Sequence, residues 1–424
     1  MLLLRKICAI ILLEIKKLYR FNTEEQYHME YSFSNKVAGL KASAIREILK
    51  FTAFPDVISF AAGNPAPEAF PVKAVEEITQ KILSENPVAA LQYSITEGYT
   101  PLRETLKKRL GTQKCYNSDI DDVIITSGGQ QGNELSCKIF LNEGDTLICE
   151  SPSFIGSINS FKSYNVNLVG VEMDSEGINA EKLEEALKAN KNTKIIYLIP
   201  NFQNPTGNCM SYERRKTVYE LAKKYNVMIL EDNPYGEIRF EGENIPSVKS
   251  LDTDGRVIYC GSFSKVLAPG IRVGFVSASK EAAQKIVVCK QVADVHTNIL
   301  AQMVADEFVN NYNFEQHLAK IREIYRKKCG LMLSEIDRNF SDKITVTRPQ
   351  GGLFIWATLP QGCNMTEFCK KAVEAKVAVV PGNAFTIHED DPTNSFRMNF
   401  STPTDQQLVK GCEILGKLSK EMFD

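Results

Sequence analysis

From Asp121 onward the chain alternates two textures. Short apolar runs recur: DDVIITSGG from Asp121, DTLICE from Asp145, NVNLVGVEM from Asn165, KIIYLIP from Lys194, NVMILEDN from Asn226, RVIYCGS from Arg256 and VGFVSAS from Val273. Between them lie longer stretches with apolar residues at helical spacing, such as QQGNELSCKIFL, AEKLEEALKAN and SYERRKTVYELAKKY. The runs are short, rich in β-branched residues and bounded by turns, which predicts strands. The longer stretches predict helices, the last with Ser211 as its N-cap. Buried strands alternating with helices imply an α/β fold with a mostly parallel sheet covered on both faces.

The last hundred residues read differently. A long helical pattern, FEQHLAKIREIYRKKCGLMLSEI from Phe314, leads into TVTRPQGGLFIWATLP and VAVVPGNAF, which predicts a smaller α+β domain. The expected organisation is an N-terminal extension over 1–30, an arm over 31–70, a large domain over 71–305 and a small domain over 306–424. The opening MLLLRKICAIILLEIKKLYRF has an apolar core only from Ile7 to Leu13, short of the roughly 20 residues a membrane span needs. No small-residue cleavage site follows it. An amphipathic surface helix and an extension outside the fold both remain open, and Met29 is the expected native start.

Composition narrows the function. Charged residues make up 24% of the 424 and the formal net charge is −2, so no electrostatic footprint points to nucleic acid. The 11 cysteines show no CxxC spacing, which argues for reduced thiols, a cytoplasmic setting and no zinc site. The 4 histidines are scattered and form no HExxH, so metal catalysis is not expected.

In doubly covered parallel sheets, ligands gather beyond the carboxyl ends of the strands. The residues there are chemically pointed: SGGQQG after the first run, SPSF from Ser151, NFQNPTG from Asn201, EDNPYG from Glu231 and GSFSKVLAPGIR from Gly261. SFRMNFS, from Ser395, places Arg397 between apolar neighbours. Each motif alone has an ordinary reading: Asn-Pro as a turn, Asp-x-Pro as a helix cap, Phe154 as core, Arg397 as a structural ion pair. Their order is specific.

NPTG, then D-x-P-Y, then S-x-S-K-x-x-x-x-G-x-R, then S-F-R resembles the fold-type I, class I aminotransferases, which use pyridoxal 5'-phosphate. The SGGQQG turn is similar to the branch containing 2-aminoadipate and kynurenine aminotransferases. The resemblance runs from about Ser43 to the C-terminus. It implies a seven-stranded-type sheet between helices, with the smaller α+β domain at the C-terminal end. It also implies roles. Lys265 resembles the lysine that bonds the cofactor aldehyde and shuttles the α-proton. Asp232 resembles the partner of the pyridinium nitrogen, and Asn204 and Tyr235 the donors to the ring oxygen. Ser262, Ser264, Arg272 and the amides of Gly129 and Gln130 resemble the phosphate cradle. Phe154 resembles the ring-stacking aromatic, where many relatives carry tyrosine, and Gly129 stands where serine is common. Arg397 resembles the clamp on the substrate carboxylate, and Gly63 a glycine in a loop over the substrate that acts as a lid. Tyr93 resembles the tyrosine that reaches the phosphate of a neighbouring subunit, implying a homodimer.

The expected activity is transfer of an amino group from a 2-aminoadipate, aromatic or branched-chain amino acid to a 2-oxo acid, 2-oxoglutarate by resemblance, in a ping-pong cycle. A carbon–sulfur β-lyase on the same frame and a ligand-sensing module are the alternatives. Against the sensor, some forty residues precede the fold, too few and not basic enough for the winged-helix domain of such regulators.

Overall fold

The computed structural model describes residues 31–38, 40, 56–388 and 390–424. The expectations for the extension over 1–30, including a start at Met29, lie outside the described residues, as does much of the arm. Residues 1–39 form a unit of their own, in which a short helical turn, Asn35–Ala38, is described. The rest belongs to a second unit, Leu40–Asp424.

Among the described residues of that unit, the first strand is the two-residue β1 (Ile58–Ser59). Eight strands then build the main sheet: β2 (Asp121–Thr126), β3 (Thr146–Ser151), β4 (Asn167–Asp174), β5 (Gly177–Ile178), β6 (Thr193–Leu198), β7 (Met228–Asn233), β8 (Val257–Ser262) and β9 (Gly274–Ser279). Their spatial order is β2-β9-β8-β7-β6-β3-β4-β5. Pairings from β8 across to β4 are parallel, while β9 runs antiparallel to both neighbours. The physical reason lies in the connections. α-Helices or, between β7 and β8, a long excursion with two short turns (Gly236–Ile238 and Lys249–Leu251) carry the chain back between parallel strands, whereas β8 reaches β9 through a short loop with one turn at Pro269–Ile271, and without a crossover the strand must return antiparallel. β5 is a short antiparallel appendix to β4, so the body of the sheet is the expected seven-stranded, mostly parallel one.

Helices take their boundaries from local chemistry. The Ser211 side chain accepts from the Arg214 amide at the start of the helix Tyr212–Tyr225, as its sequence predicts, and Asn226 ends that helix in the left-handed region. Central strands such as β6 and β8 are buried almost throughout, which is why they read as continuous apolar runs.

A second, antiparallel sheet follows the long helix Phe314–Asn339. It contains β10 (Thr345–Val346), β11 (Phe354–Thr358), β13 (Val380–Pro381) and β14 (Ser395–Asn399), in the order β10-β11-β14-β13. Strand β12 (Val377–Ala378) pairs in parallel with β1, joining the start of the unit to its C-terminal part. This pairing brings the Ala61–Gly63 backbone toward both Arg397 and Lys265.

Candidate active site

The carboxyl ends of β2, β3, β6, β7 and β8 converge on a cavity of about 290 Å³. Every candidate residue except Tyr93 lines it. A larger cavity of about 550 Å³, lined by Arg109, Asn233 and Arg239, contains none of the candidates. Its arginines are already engaged, Arg109 with Glu237 and Glu315, and Arg239 with Gln350 and Cys209. The smaller cavity is the one whose chemistry converges.

Lys265 follows the end of β8, and its half-buried side chain turns into the cavity. Its Nζ donates to the Gly63 carbonyl at 2.8 Å. Burial, with the positive charges of Arg397 and Arg272, lowers its pKa from the ordinary lysine value to about 8. Roughly a tenth of the amine is therefore unprotonated at pH 7, far more than for an ordinary lysine, and the neutral form is what a nucleophilic lysine requires.

Asp232, at the end of β7, is 5% exposed. Its Oδ2 accepts from Asn133 Nδ2 and from the Tyr197 hydroxyl, each at 2.7 Å. The other oxygen takes no hydrogen bond among the described residues and is left to the cavity. Burial raises the Asp232 pKa, and the two donors oppose the rise. The carboxylate is thus committed to side chains, and the helix-capping reading of Asp-x-Pro does not apply. Sequence reasoning missed Asn133 and Tyr197. A signal was present in each case: Asn133 lies four residues after Gly129 on one helix face, and Tyr197 puts a hydroxyl inside an apolar strand.

Arg397 lies on β14 and is 2% exposed. Its Nη1 donates to Asn204 Oδ1 at 2.8 Å and its Nη2 to the Ala61 carbonyl at 2.7 Å. The guanidinium sits 4.2 Å from the Phe354 ring centroid and 4.8 Å from that of Phe385. Its Nε is buried without a partner. Burial lowers its pKa to about 10. Among the described residues no carboxylate meets it, so the structural ion-pair reading finds no support there and the fork keeps unused donor capacity. Tyr235 is buried edge-on against Phe354, and burial raises its pKa.

The anion-binding end is built from β2 and the helix Gly129–Phe140. Gly128 has φ +82°, and a Cβ there would lie 2.2 Å from Arg272 Nη2. Gly128 is therefore the residue that must be glycine. At Gly129 a Cβ would meet only ordinary contacts, the nearest at 3.7 Å, so serine would fit there. Arg272, itself left-handed at φ 54°, donates to the Ser127 and Pro269 carbonyls at 3.3 and 3.2 Å. The Ser262 hydroxyl donates to Ser264 Oγ at 2.8 Å. The amides of a helix N-terminus, two hydroxyls and an arginine share one end of the cavity, a donor set matched to phosphate. Phe154 forms a wall at the start of the helix Ile155–Lys162, and Gln130 Nε2 donates to the Gly156 carbonyl at 3.1 Å.

Tyr93 stands apart. It is 81% exposed, with its ring edge-on to His296 at 5.9 Å.

An α/β fold on a mostly parallel sheet, with a depressed lysine, a buried carboxylate and a phosphate cradle at the strand ends, defines a pyridoxal-phosphate-dependent enzyme of fold type I. The sequence profile of aminotransferases of class I and II matches residues 55–415, and the chain belongs to that family. It is 42% identical over 398 residues to aromatic-amino-acid aminotransferase 1 of Thermococcus litoralis, covering 92% of this chain and 95% of that one. The fold superposes with a TM-score of 0.89 on the kynurenine aminotransferase of Pyrococcus horikoshii, solved with PMP, at 38% identity over 92% of this chain and 98% of that one. An α-aminoadipate aminotransferase of Thermus thermophilus, solved with N-(5'-phosphopyridoxyl)-L-leucine, gives 0.84 at 37% identity, covering 92% and 97%. The protein is a pyridoxal 5'-phosphate-dependent transaminase of the 2-aminoadipate and kynurenine branch. The residues present fit that cofactor: the Gly128 turn leaves room for Arg272 beside the helix amides, Asp232 keeps one oxygen free, and Arg397 Nε awaits an acceptor.

Proposed function

We propose that the enzyme moves an amino group from an L-amino acid of the 2-aminoadipate, aromatic or branched-chain type to a 2-oxo acid, 2-oxoglutarate, by a ping-pong cycle through Lys265. The observation that carries this reading is one cavity holding a lysine lowered to about 8 and a buried arginine with an unused donor. The relatives named for aromatic amino acids, kynurenine and α-aminoadipate support the substrate range.

When bound, the cofactor supplies an electron sink for the carbanion left by loss of the α-proton. The chain supplies the rest. Ser262, Ser264, Arg272 and the amides of Gly129 and Gln130 would hold the phosphate. Phe154 would cover one ring face, Asn204 and Tyr235 would donate to the ring oxygen, and Asp232 would keep the ring nitrogen protonated. Arg397 binds the substrate carboxylate and orients the α-carbon toward Lys265. The Lys265 amine, partly neutral, removes the proton there and returns it on the other side of the cycle. Gly63, whose carbonyl already holds Lys265, borders the substrate space. A lid built from the arm would close over it; residues 41–55 of that arm lie outside the described residues.

The same reading assigns 71–305 to a cofactor-binding domain and 306–424 to a smaller domain, supported by the confinement of the two larger sheets to these ranges. It also takes the enzyme to be a homodimer in the cytoplasm. Exposed apolar side chains at Val88, Leu91, Tyr93, Val292 and Val295 support a partner-facing surface. Every cysteine among the described residues is free, which supports a reducing compartment. No helix among them is long and apolar enough to cross a membrane.

The test is spectroscopic. Single amino acids are added to the yellow, cofactor-loaded enzyme, followed by 2-oxoglutarate. Bleaching by an amino acid and recovery with the oxo acid is the expected result and names the donor. Release of a thiol with pyruvate from a cysteine conjugate, without that cycle, would replace the transaminase reading by a β-lyase.

A further inference from the structure

Behind the phosphate-binding turn lies a polar cluster that the chemistry so far does not use. Lys290, in the helix Lys280–Ala293, is fully buried. Its Nζ donates to both oxygens of Asp294 at 2.9 Å, to Gln131 Oε1 at 2.7 Å and to Thr297 Oγ1 at 2.9 Å. A buried ammonium is costly unless it is so surrounded, and here every direction is filled.

All these partners meet on Ser127. The Ser127 amide donates to Gln131 Oε1 at 2.8 Å, and its hydroxyl donates to Asp294 Oδ2 at 2.7 Å. Gln131 Nε2 donates to the same Asp294 oxygen at 2.8 Å. The Ser127 carbonyl accepts from Arg272. The next residue is Gly128, packed against the Arg272 guanidinium. Moving Ser127 would therefore move the helix amides and the arginine together.

The backbone is strained to maintain this arrangement. Val295 has φ 65°, a conformation that a β-branched residue rarely adopts, inside a tight turn in which the His296 amide donates to the Asp294 carbonyl at 2.7 Å. Strain of this kind persists only where neighbouring contacts over-determine it. The turn sits between Asp294 and Thr297, the two residues that reach back to Lys290 and Ser127.

We infer that Lys290 is a positioning residue for cofactor binding, acting through Asp294 and Gln131 on Ser127 to set the phosphate cradle. Lys290 and Asp294 cancel in charge, so the effect is geometric, and it falls on the phosphate end alone. The inference rests on the assignment of that turn to the phosphate.

The experiment compares two ligands on cofactor-free protein: pyridoxal 5'-phosphate and pyridoxal, which lacks the phosphate, each titrated by absorbance. Lys290→Met is expected to weaken pyridoxal 5'-phosphate by about tenfold, the scale of one charge-assisted hydrogen bond, while leaving pyridoxal unchanged. Ser127→Ala and Asp294→Asn, milder changes, should move the same ratio in the same direction. Equal loss for both ligands, or none for either, overturns the inference. If Lys290→Met does not fold, an unchanged ratio in both milder variants overturns it. Arg272→Ala tests the underlying assignment: if that variant keeps the wild-type ratio, the turn is not the phosphate site. If Arg272→Ala shifts the ratio and the Lys290, Ser127 and Asp294 variants do not, only the positioning role fails.

Discussion

At the residue scale, the decisive quantity is the proton on Lys265. Burial and two nearby arginines lower its pKa to about 8. In cofactor-free protein, labelling of Lys265 by an amine-reactive reagent, followed by peptide mass spectrometry, should show a midpoint near that value. A midpoint in the ordinary lysine range would contradict the electrostatic argument. The shift also has a stability consequence. Between about pH 8 and the ordinary lysine value, the unfolded chain binds the proton and the folded protein does not, so stability rises with pH across that window. Below it the full cost is present. Lys265→Met should therefore raise the Tm of cofactor-free protein at neutral pH, with a margin that shrinks as pH rises through the window. Arg397 differs, because its charge is retained and its fork is used. Arg397→Ala should raise KM for the amino acid by about 10²-fold, with cofactor affinity much less affected. Unchanged KM would move the carboxylate clamp to another residue. Asp232 and Lys265 were legible as reactive groups at and just beyond strand ends, and Arg397 as a charge inside an apolar strand, while their roles came from the resemblance. Asn133 and Tyr197 were not singled out, since an amide in a helix and a tyrosine in a strand acquire meaning only beside Asp232.

At the scale of elements, the ends of β3 and β6 are tied together under the cavity floor by Glu150. This side chain is 1% exposed. Its Oε2 accepts from the Ile199 amide at 3.0 Å and from Gln203 Nε2 at 3.4 Å, while Oε1 has no partner. Burial raises its pKa to about 7. Here the folded protein holds a proton that the unfolded chain releases at lower pH. Stability is therefore lost as pH rises from the ordinary carboxylate range to about pH 7, and the cost stays constant above that. Glu150→Gln should be more stable than wild type above about pH 7, by up to about 3 kcal/mol, and lose this advantage in acid. Denaturant titrations at several pH values decide it; a pH-independent difference would show that the carboxyl does not titrate on unfolding. The strands themselves were readable from their apolar runs. Their spatial order was not, because the pairing of β2 with β9 joins segments on either side of most of the sheet.

For the whole molecule, the outlying position of Tyr93 is the informative fact. It is exposed, beside other exposed apolar side chains, and does not line the cavity of its own chain. If it completes a site across a dimer, Lys265→Ala and Tyr93→Ala subunits carry complementary defects. Each homodimer should be impaired, and mixed dimers should regain one intact site and part of the wild-type rate. Activity that merely averages the two parents would place Tyr93 outside the neighbouring site.

The sequence alone determined the residue chemistry and the alternation of strands and helices, because both are written in neighbouring positions: an apolar run, its polar terminator, a capping serine. Only the tertiary structure decided which terminators meet and what each becomes on meeting. The Lys265 amine rests on a carbonyl 202 positions away, and Arg397 binds an amide 193 positions away. Likewise Lys290 and Gln131 lie 159 apart. Burial and charge are properties of the assembled neighbourhood, so the depressed lysine, the unsatisfied arginine and the cluster behind the phosphate turn exist only once the sheet has brought those distant ends together.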